Sequence, residues 1–236
     1  MARYGPHDAK IRSIFGDIAQ VYDPMNRVIT LGFWGSWQRT FLRLCAPKAG
    51  ERCLDVATGT ADLALMIARA APGSHVTGLD LSREMLAVAE RKIADQGLSA
   101  QIDVVEGNAL ALPFPDATFD LVTCGFGLRN FPDLPQALRE MRRVLRPGGR
   151  ALSLEVSRPT GRLTFIGFKI FFYGIVPLLG RAVGRGGSYG WLRESHRTFP
   201  GRAALADLYR GAGFVDVAAW PLTMGSVAVH RGYGPS

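Results

Sequence analysis

Apolar and polar positions along this chain switch repeatedly between the period of two that marks a strand and the period near 3.6 that marks a helix. Cys53–Val56, Val76–Asp80, Ile102–Val105, Phe119–Cys124 and Ala151–Glu155 are short apolar runs that read as five strands. Helical patterns separate them. Ser82 opens one that runs to about Gln96, with Glu84 in its first turn and Gly97 behind it; Asp133 caps another whose apolar face is Leu134, Leu138, Met141 and Leu145, stopped by Arg146-Pro147-Gly148-Gly149. Strands alternating with helices predict a parallel sheet and an α/β fold with helices on both faces. Ahead of the first strand, Ile14, Ile18, Val21 and Tyr22 before Pro24, and then Trp37, Phe41, Leu44 and Cys45, predict two helices, with residues 1–12 loose. Behind the fifth strand, Leu205, Leu208 and Tyr209 mark a helix ended at Gly211 or Gly213, and Phe214–Trp220 with Ser226–His230 predict a closing hairpin. The expected organisation is one domain over 1–236: a helical cap (1–50), a ligand-binding core (51–160), an insertion covering the site (161–200), and a closing helix and hairpin (201–236).

Leu163–Gly180 is almost wholly apolar, yet Lys169 interrupts it and Pro177 lies near its end. A bilayer span needs about 20 apolar residues, so the run reads as an insertion between the fifth and sixth strands, with a plain core helix as the alternative. Arg181, Arg185, Arg193 and Arg197 follow it, a greasy helix beside basic charge of the kind that rests on a bilayer. Across 236 residues the chain is 47% hydrophobic, with mean hydropathy +0.09, net charge +8 and pI near 9.9. That balance points to a polyanionic partner, nucleic acid or an anionic membrane surface, without choosing between them. Cys45, Cys53 and Cys124 form no C-x-x-C pair, so no metal site or redox motif is expected, and Cys53 and Cys124 fall in strands expected to be buried. The polar, mixed-charge N-terminus reads as no signal peptide, and the cysteine usage fits a cytoplasmic protein.

The chemistry is concentrated at the carboxyl ends of the strands, where ligands sit in open α/β sheets. The run Cys53-Leu54-Asp55-Val56-Ala57-Thr58-Gly59-Thr60-Ala61-Asp62 is a strand, a tight turn and a helix start. Gly59 is free to take positive φ under a ligand, and Thr60 offers a hydroxyl and an N–H near the helix start. Asp80 lies 25 residues after Asp55, at the tip of the second strand, where a carboxylate accepts both hydroxyls of a ribose. The competing role for Asp80, capping the next helix, suits Ser82 better. Neither G-x-G-x-x-G nor G-x-x-x-x-G-K-[ST] is present, so a nucleoside without phosphates fits better than a dinucleotide or a triphosphate.

The turn, the acid at Asp80 and the segments at the third and fourth strand tips resemble the seven-strand S-adenosylmethionine-dependent methyltransferases. The resemblance implies a Rossmann-like seven-stranded sheet with an antiparallel last strand. It implies S-adenosyl-L-methionine as cofactor, held by Asp55, Gly59, Thr60, Asp80, Asn108, Ala109 and Gly125. In that superfamily the first polar residue at the third tip meets the adenine amine and the next backbone N–H a ring nitrogen; Asn108 and Ala109 stand there. An Asn/Asp-Pro-Pro-aromatic run, used on exocyclic or amide nitrogens, is missing at the fourth tip, and the chain has no Pro-Cys pair of the kind RNA pyrimidine enzymes use, so nucleic acid is not the expected substrate.

Gly125-Phe126-Gly127-Leu128-Arg129-Asn130-Phe131 is more distinctive. Together with Phe15-Gly16…Val21-Tyr22-Asp23, Leu112–Asp116, Arg146–Gly149, Glu194–Pro200 and His230-Arg231-Gly232-Tyr233, it resembles the UbiE-type C-methyltransferases of ubiquinone and menaquinone biosynthesis from about Phe15 to Tyr233. Two positions depart from the pattern: Ala61 replaces the second glycine of the turn, and Gly125 stands where some members have serine. The resemblance implies a prenylated quinol as acceptor. A ring carbon ortho to a hydroxyl becomes nucleophilic once that hydroxyl loses its proton, which calls for a proton acceptor and a cation near the developing phenolate. Arg129 is then the candidate cation, against a surface salt bridge; Asn130 would position the ring; Tyr22 would relay the proton, against plain packing. His196 is a further candidate base, set against a structural histidine. A prenyl tail calls for a greasy channel or contact with the bilayer, hence peripheral association with the inner face of the membrane. The alternatives that stay open are a methyltransferase acting on RNA or another small molecule, and a non-catalytic partner that binds the cofactor within a quinone-biosynthesis complex. A homodimer is compatible with the sequence, which does not fix oligomeric state, the choice of benzoquinol or naphthoquinol, or tail length.

Overall fold

The seven strands are β1 (Arg52–Val56), β2 (His75–Asp80), β3 (Ile102–Glu106), β4 (Phe119–Gly125), β5 (Leu145–Val156), β6 (Val215–Leu222) and β7 (Val227–Tyr233). In the computed structural model, which describes residues 5–178 and 186–236, they form one sheet in the order β3–β2–β1–β4–β5–β7–β6. The first five are parallel, and β7 runs antiparallel to both β5 and β6. From β1 the chain builds outward through β2 and β3, then returns to add β4 on the other side. Strand order therefore reverses between β1 and β4, and a crevice opens beyond their carboxyl ends. Leu145 and Arg150–Leu154 pair with β4 across a register break, so the Pro147-Gly148-Gly149 segment read as a helix stop is a kink in β5, with Gly148 at φ 69°.

Alternation along each strand divides the core in two. Cys53, Val76, Leu121, Leu152 and Val229 face α3 (Trp34–Cys45), α4 (Asp62–Ala70) and α5 (Arg83–Asp95), where Phe41 and Ile67 are fully buried. Leu54, Val56, Val122 and Cys124 face the other way, against α6 (Leu134–Arg143) and the helix over Arg202–Gly211. Ser82 caps α5 as expected, its hydroxyl accepting from Met85 N at 3.3 Å.

The cap is larger than its periodicity indicates. Instead of two helices it has three: α1 (Pro6–Ile18), α2 (Tyr22–Ile29) and α3. Residues expected to be loose form the first turns of α1. Pro24 does not end a helix but sits in the first turn of α2, where backbone N–H groups have no intrahelical acceptor and a proline costs little. The apolar run after β5 folds as α7 (Arg162–Lys169) and a π-helical turn (Ile170–Ile175), followed later by α8 (Gly186–Thr198); the helix over Arg202–Gly211 is α9. The core-helix alternative fails, because α7 buries no residue and Leu163 is 84% exposed. Ile18, Met25 and Val176 instead make a third small cluster joining α1 and α2 to the insertion. Arg181 and Arg185 lie outside the described residues; Arg193 and Arg197 are exposed on α8.

Arg150 fastens the cap to the sheet. Its guanidinium donates to Cys45 O at 2.5 Å and Ala46 O at 2.9 Å, the carbonyls left open at the end of α3, and grips both oxygens of Glu51 at 2.9 and 2.7 Å. Burial pushes the Glu51 carboxyl up, but Arg150 and the Lys48 N–H outweigh it and hold the group below its usual value. Arg150→Met is expected to lower the unfolding free energy by about 2–4 kcal/mol in urea titrations near pH 7. A depressed carboxylate stabilises the fold above its unfolded pKa of about 4.3 and loses that contribution as pH falls through the folded value, so the gap between wild type and variant should narrow below about pH 4.

Candidate active site

At the tip of β1 the chain reverses through Ala57 (φ 55°), Gly59 (φ 57°) and Ala61 (φ 67°), three left-handed residues in five positions. Such φ values cost an alanine on the order of 1 kcal/mol each, and two acids, the buried Asp55 and the half-buried Asp80, hold them in place. Asp55 accepts from the hydroxyls of Thr58 and Thr123, both at 2.7 Å, locking the turn to β1 and β4. Asp80 accepts from Gly59 N at 2.8 Å and Ser82 N at 2.9 Å, locking it to β2. Burial pushes the Asp55 carboxyl up to about 6 against the two threonine hydroxyls, and it raises Asp80 as well.

The crevice above this turn holds about 70 Å³. Gly59, Asp80 and Met85 line one side, Gly107, Asn108 and Ala109 another, Gly125 and Gly127 the floor at β4, and Asp8, Ile11 and Phe15 of α1 lie across the top. Its polar groups are carboxylates and amides; no Lys, Arg or His is among the described lining residues. That set suits ribose hydroxyls, an adenine amine and a sulfonium charge, whereas a pyrophosphate would meet two carboxylates and no cation. A Cβ on Gly125 would come within 2.6 Å of Leu63 Cδ1, so a larger residue there needs Leu63 to move.

Beside it lies a larger cavity of about 380 Å³, lined by Ile14, Ile18, Asn26, Trp34, Trp37, Arg129, Phe168, Phe171, Phe172, Trp191 and Met224 among others. Phe15, Tyr22, Phe126 and Asn130 line both spaces and form the wall between them. Phe126 is left-handed at φ 54°, and its carbonyl accepts from Arg129 Nη1 at 2.7 Å and Asn130 Nδ2 at 3.3 Å. A strained residue at this junction, held from both sides, is the pattern expected of a site.

The residues singled out from sequence divide into those facing the two spaces and those beneath them. Gly59, Asp80, Asn108, Ala109 and Gly125 line the crevice. Asp55 and Thr60 do not: Asp55 is buried under the turn, and Thr60 turns away to donate to Asp23 Oδ1 at 2.6 Å. Lys92 completes that knot, reaching Asp23 and Asp62 at 2.6 Å each and Thr60 at 3.2 Å, so one cation ties α2 to the start of α4. Ala61 is buried at the start of α4 rather than in the crevice, so the departure from glycine is met by backbone strain, not by crowding of a ligand.

Arg129 does line the large cavity, but not as a lone cation or a surface pair. Its Nη1 lies 2.6 Å from Glu155 Oε1, with both side chains almost fully buried, and Glu155 also accepts from Arg129 N and Val156 N. Nη2 carries no hydrogen bond among the described residues. The Asn130 amide is committed at both ends, to Phe126 O and to Trp191 Nε1 at 3.0 Å, and so fixes the indole that lines the cavity. Burial raises the Tyr22 phenol, partly offset by Asn26 and Arg129, which keeps the proton on its oxygen at neutral pH. His196 lines neither space. Tyr173 Oη lies 2.6 Å from its Nδ1 and Ser157 O lies 3.3 Å from its Nε2; burial pushes it down to about 4, so it is a neutral strut under the π-helical turn. Glu155, Trp191 and the Lys92 knot escape sequence reading. Glu155 alone leaves a signal, as a third strand ending on an acid.

A profile of the ubiE/COQ5 methyltransferase family matches residues 4–234. The demethylmenaquinone methyltransferase of Geobacillus kaustophilus is 44% identical over 232 residues, 96% of this chain and 97% of the relative; that of Anoxybacillus flavithermus is 42% identical over 234 residues, 97% of each. Among solved structures, a SAM-dependent methyltransferase from Aquifex aeolicus matches with TM-score 0.57 at 17% identity, over 83% of this chain and 88% of its own. Haemonchus contortus phosphoethanolamine N-methyltransferase 2, in complex with S-adenosyl-L-methionine, matches with TM-score 0.63 at 17% identity, over 87% of this chain and 53% of its own. At such identities the structural matches establish the fold alone.

The raised Asp55 carboxyl has a measurable consequence. A carboxyl held at about 6 favours the fold fully only below its unfolded value near 3.9, and that contribution is lost as pH rises towards 6. A shift of roughly two units corresponds to about 3 kcal/mol. The stability of wild type relative to Asp55→Asn, measured by urea unfolding, should fall by about that amount between pH 4 and pH 7.

Proposed function

This chain belongs to the ubiE/COQ5 methyltransferase family, and from that premise we propose that it moves the methyl group of S-adenosyl-L-methionine to a ring carbon of a prenylated quinol, with demethylmenaquinol the acceptor, in menaquinone biosynthesis. The observation that carries the reading is the shared wall. A crevice that carries the Asp8 and Asp80 carboxylates and, among the described residues, no cation abuts an apolar cavity across Phe15, Tyr22, Phe126 and Asn130, so a donor in one and a flat aromatic in the other meet there. The cofactor supplies an electrophilic methyl group on a sulfonium, which needs little activation. Asp80 takes the ribose hydroxyls, Gly59 and Gly125 let the backbone approach, and Asn108 with the Ala109 N–H meets the adenine; Asp55 and Thr60 act from below by holding the turn.

On the acceptor side the protein aligns the ring and manages one proton. Trp191, fixed by Asn130, and the aromatic lining hold the ring edge toward the crevice. Arg129 donates from Nη2 to the ring oxygen that develops charge, while Glu155 fixes the guanidinium. Tyr22 passes the hydroxyl proton onward rather than storing it, as its raised pKa requires. The ring carbon would displace the sulfur and gain the methyl group, leaving a neutral thioether; its own hydrogen would then pass as a proton through water to the ring oxygen, restoring the aromatic quinol, so that the hydroxyl proton relayed by Tyr22 to solvent is the one proton released.

The cavity mouth favours a bilayer as the place where the tail stays. Leu31 (62% exposed), Met224 (70%) and Ile170 (62%) are outward on three segments that also line or flank the cavity. Residues 24–50, 156–193 and 217–236, which contain those segments, carry eleven Lys and Arg and no Asp or Glu; the rest of the chain has seventeen against twenty. Of these basic residues, Arg27, Arg162 and Lys169 are exposed on segments that line or flank the cavity. No helix among the described residues is long and apolar enough to cross a membrane, so the contact proposed is peripheral.

Purified protein given S-adenosyl-L-methionine and demethylmenaquinol should yield menaquinol, detected by mass spectrometry as one added methyl group; no product would end the reading. Arg129→Ala should keep cofactor affinity within about twofold and lower kcat by about a hundredfold or more, the loss expected for a donor aimed at developing charge. In flotation assays the protein should rise with anionic vesicles at low salt and much less at about 0.5 M salt, where the Debye length falls to a few ångströms. Absence of flotation at low salt would remove the membrane contact while leaving the chemistry intact.

A further inference from the structure

We propose that Asp8, in the first turn of α1, reads the base of the methyl donor by accepting a hydrogen bond from the exocyclic amine of adenine. The inference rests on the crevice being the donor site. Asp8 lines that crevice at 9% exposure and faces Asn108 at the tip of β3. Asn108 by itself does not account for a two-hydrogen amine. Its side-chain oxygen already accepts from Leu110 N at 2.9 Å, which fixes which end of the amide is oxygen, and its nitrogen donates to Asp8 Oδ2 at 3.3 Å.

Asp8 has capacity to spare. Oδ2 takes Gly5 N at 3.1 Å, the capping bond of α1, and the long contact with Asn108. Oδ1 has no hydrogen bond among the described residues. Those two donors are both uncharged, Ile11 and Phe15 are its neighbours in the lining, and among the described residues no ion pair offsets the cost of the carboxylate's burial. Helix capping and the Asn108 contact occupy one oxygen; the other is unpaired among the described residues, on a side chain that lines the crevice.

The size of the crevice adds a mechanical element. About 70 Å³ is well below the roughly 300–1,000 Å³ of ligand pockets. A nucleoside base therefore fits only with α1 displaced from the position it holds in this structure. A carboxylate in that place attracts an amine and repels a carbonyl, so it discriminates adenine from a base with oxygen at the same position.

The test is calorimetry on the full chain with S-adenosyl-L-homocysteine and with S-inosyl-L-homocysteine, in which a carbonyl replaces the amine. Wild type should prefer the adenosyl ligand by about tenfold to a hundredfold. Asp8→Ala should weaken adenosyl binding by about tenfold and leave inosyl binding unchanged or tighter. Asp8→Asn keeps an oxygen for Gly5 and offers an N–H to a carbonyl, and should bring the two ligands within about threefold of each other. An equal loss for both ligands in the variants, or an unchanged preference, would overturn the proposal and leave Asp8 as a helix cap. Failure of wild type to bind the adenosyl ligand at all would instead overturn the donor-site reading beneath it.

Discussion

Three strands at the middle of the sheet place a carboxylate at or beside their carboxyl ends: Asp55 on β1, Asp80 on β2 and Glu155 on β5. Taking a carboxylate out of water is costly unless donors surround it. Each loop at this edge of the sheet is shaped by supplying them. Thr58 and Thr123 close on Asp55, Gly59 N and Ser82 N on Asp80, and the main chain and side chain of Arg129 on Glu155. The left-handed alanines of the turn and the left-handed Phe126 persist because these bonds over-determine them. What is left above the loops is a crevice with carboxylates and amides and no cation, a poor place for phosphate and a good one for a nucleoside bearing a positive sulfur.

The same economy of charge links donor and acceptor. Lys92 is spent on Asp23, Asp62 and Thr60, which draws α2 onto the start of α4 and sets Tyr22 in the partition between the two spaces. Arg129 is spent in part on Glu155, so it presents N–H groups more than net charge to the cavity. Methyl transfer needs this arrangement more than it needs a strong catalyst, because alignment of a nucleophile with an activated methyl group accounts for most of the barrier that a protein can remove.

Around the apolar cavity the logic reverses. Aliphatic side chains stand in solvent on α7 and beside α2, and residues 24–50 and 156–193 carry basic but no acidic residues. A surface of this kind costs solubility and stability in water, and the proposed contact with an anionic bilayer would offset that cost.

Sequence alone determined what depends on neighbours in the chain. The five parallel strands, the hairpin at the end, the Ser82 cap and the positions of Gly59, Asp80 and Asn108 at strand tips all follow from local periodicity and turn chemistry, and the motif around Arg129 identified the family. Only the tertiary structure decided which of those residues face the crevice or the cavity. Asp55 and Thr60 sit in the right turn but point beneath it, Arg129 found a partner 26 residues away in Glu155, and the Asn130 amide went to Trp191. It also extended the cap through Pro24 and laid α1 over the crevice. The physical reason is the same in each case: a buried polar group must be paired, its partner is chosen by proximity in space, and strands brought together from distant parts of the chain supply partners that no local pattern records.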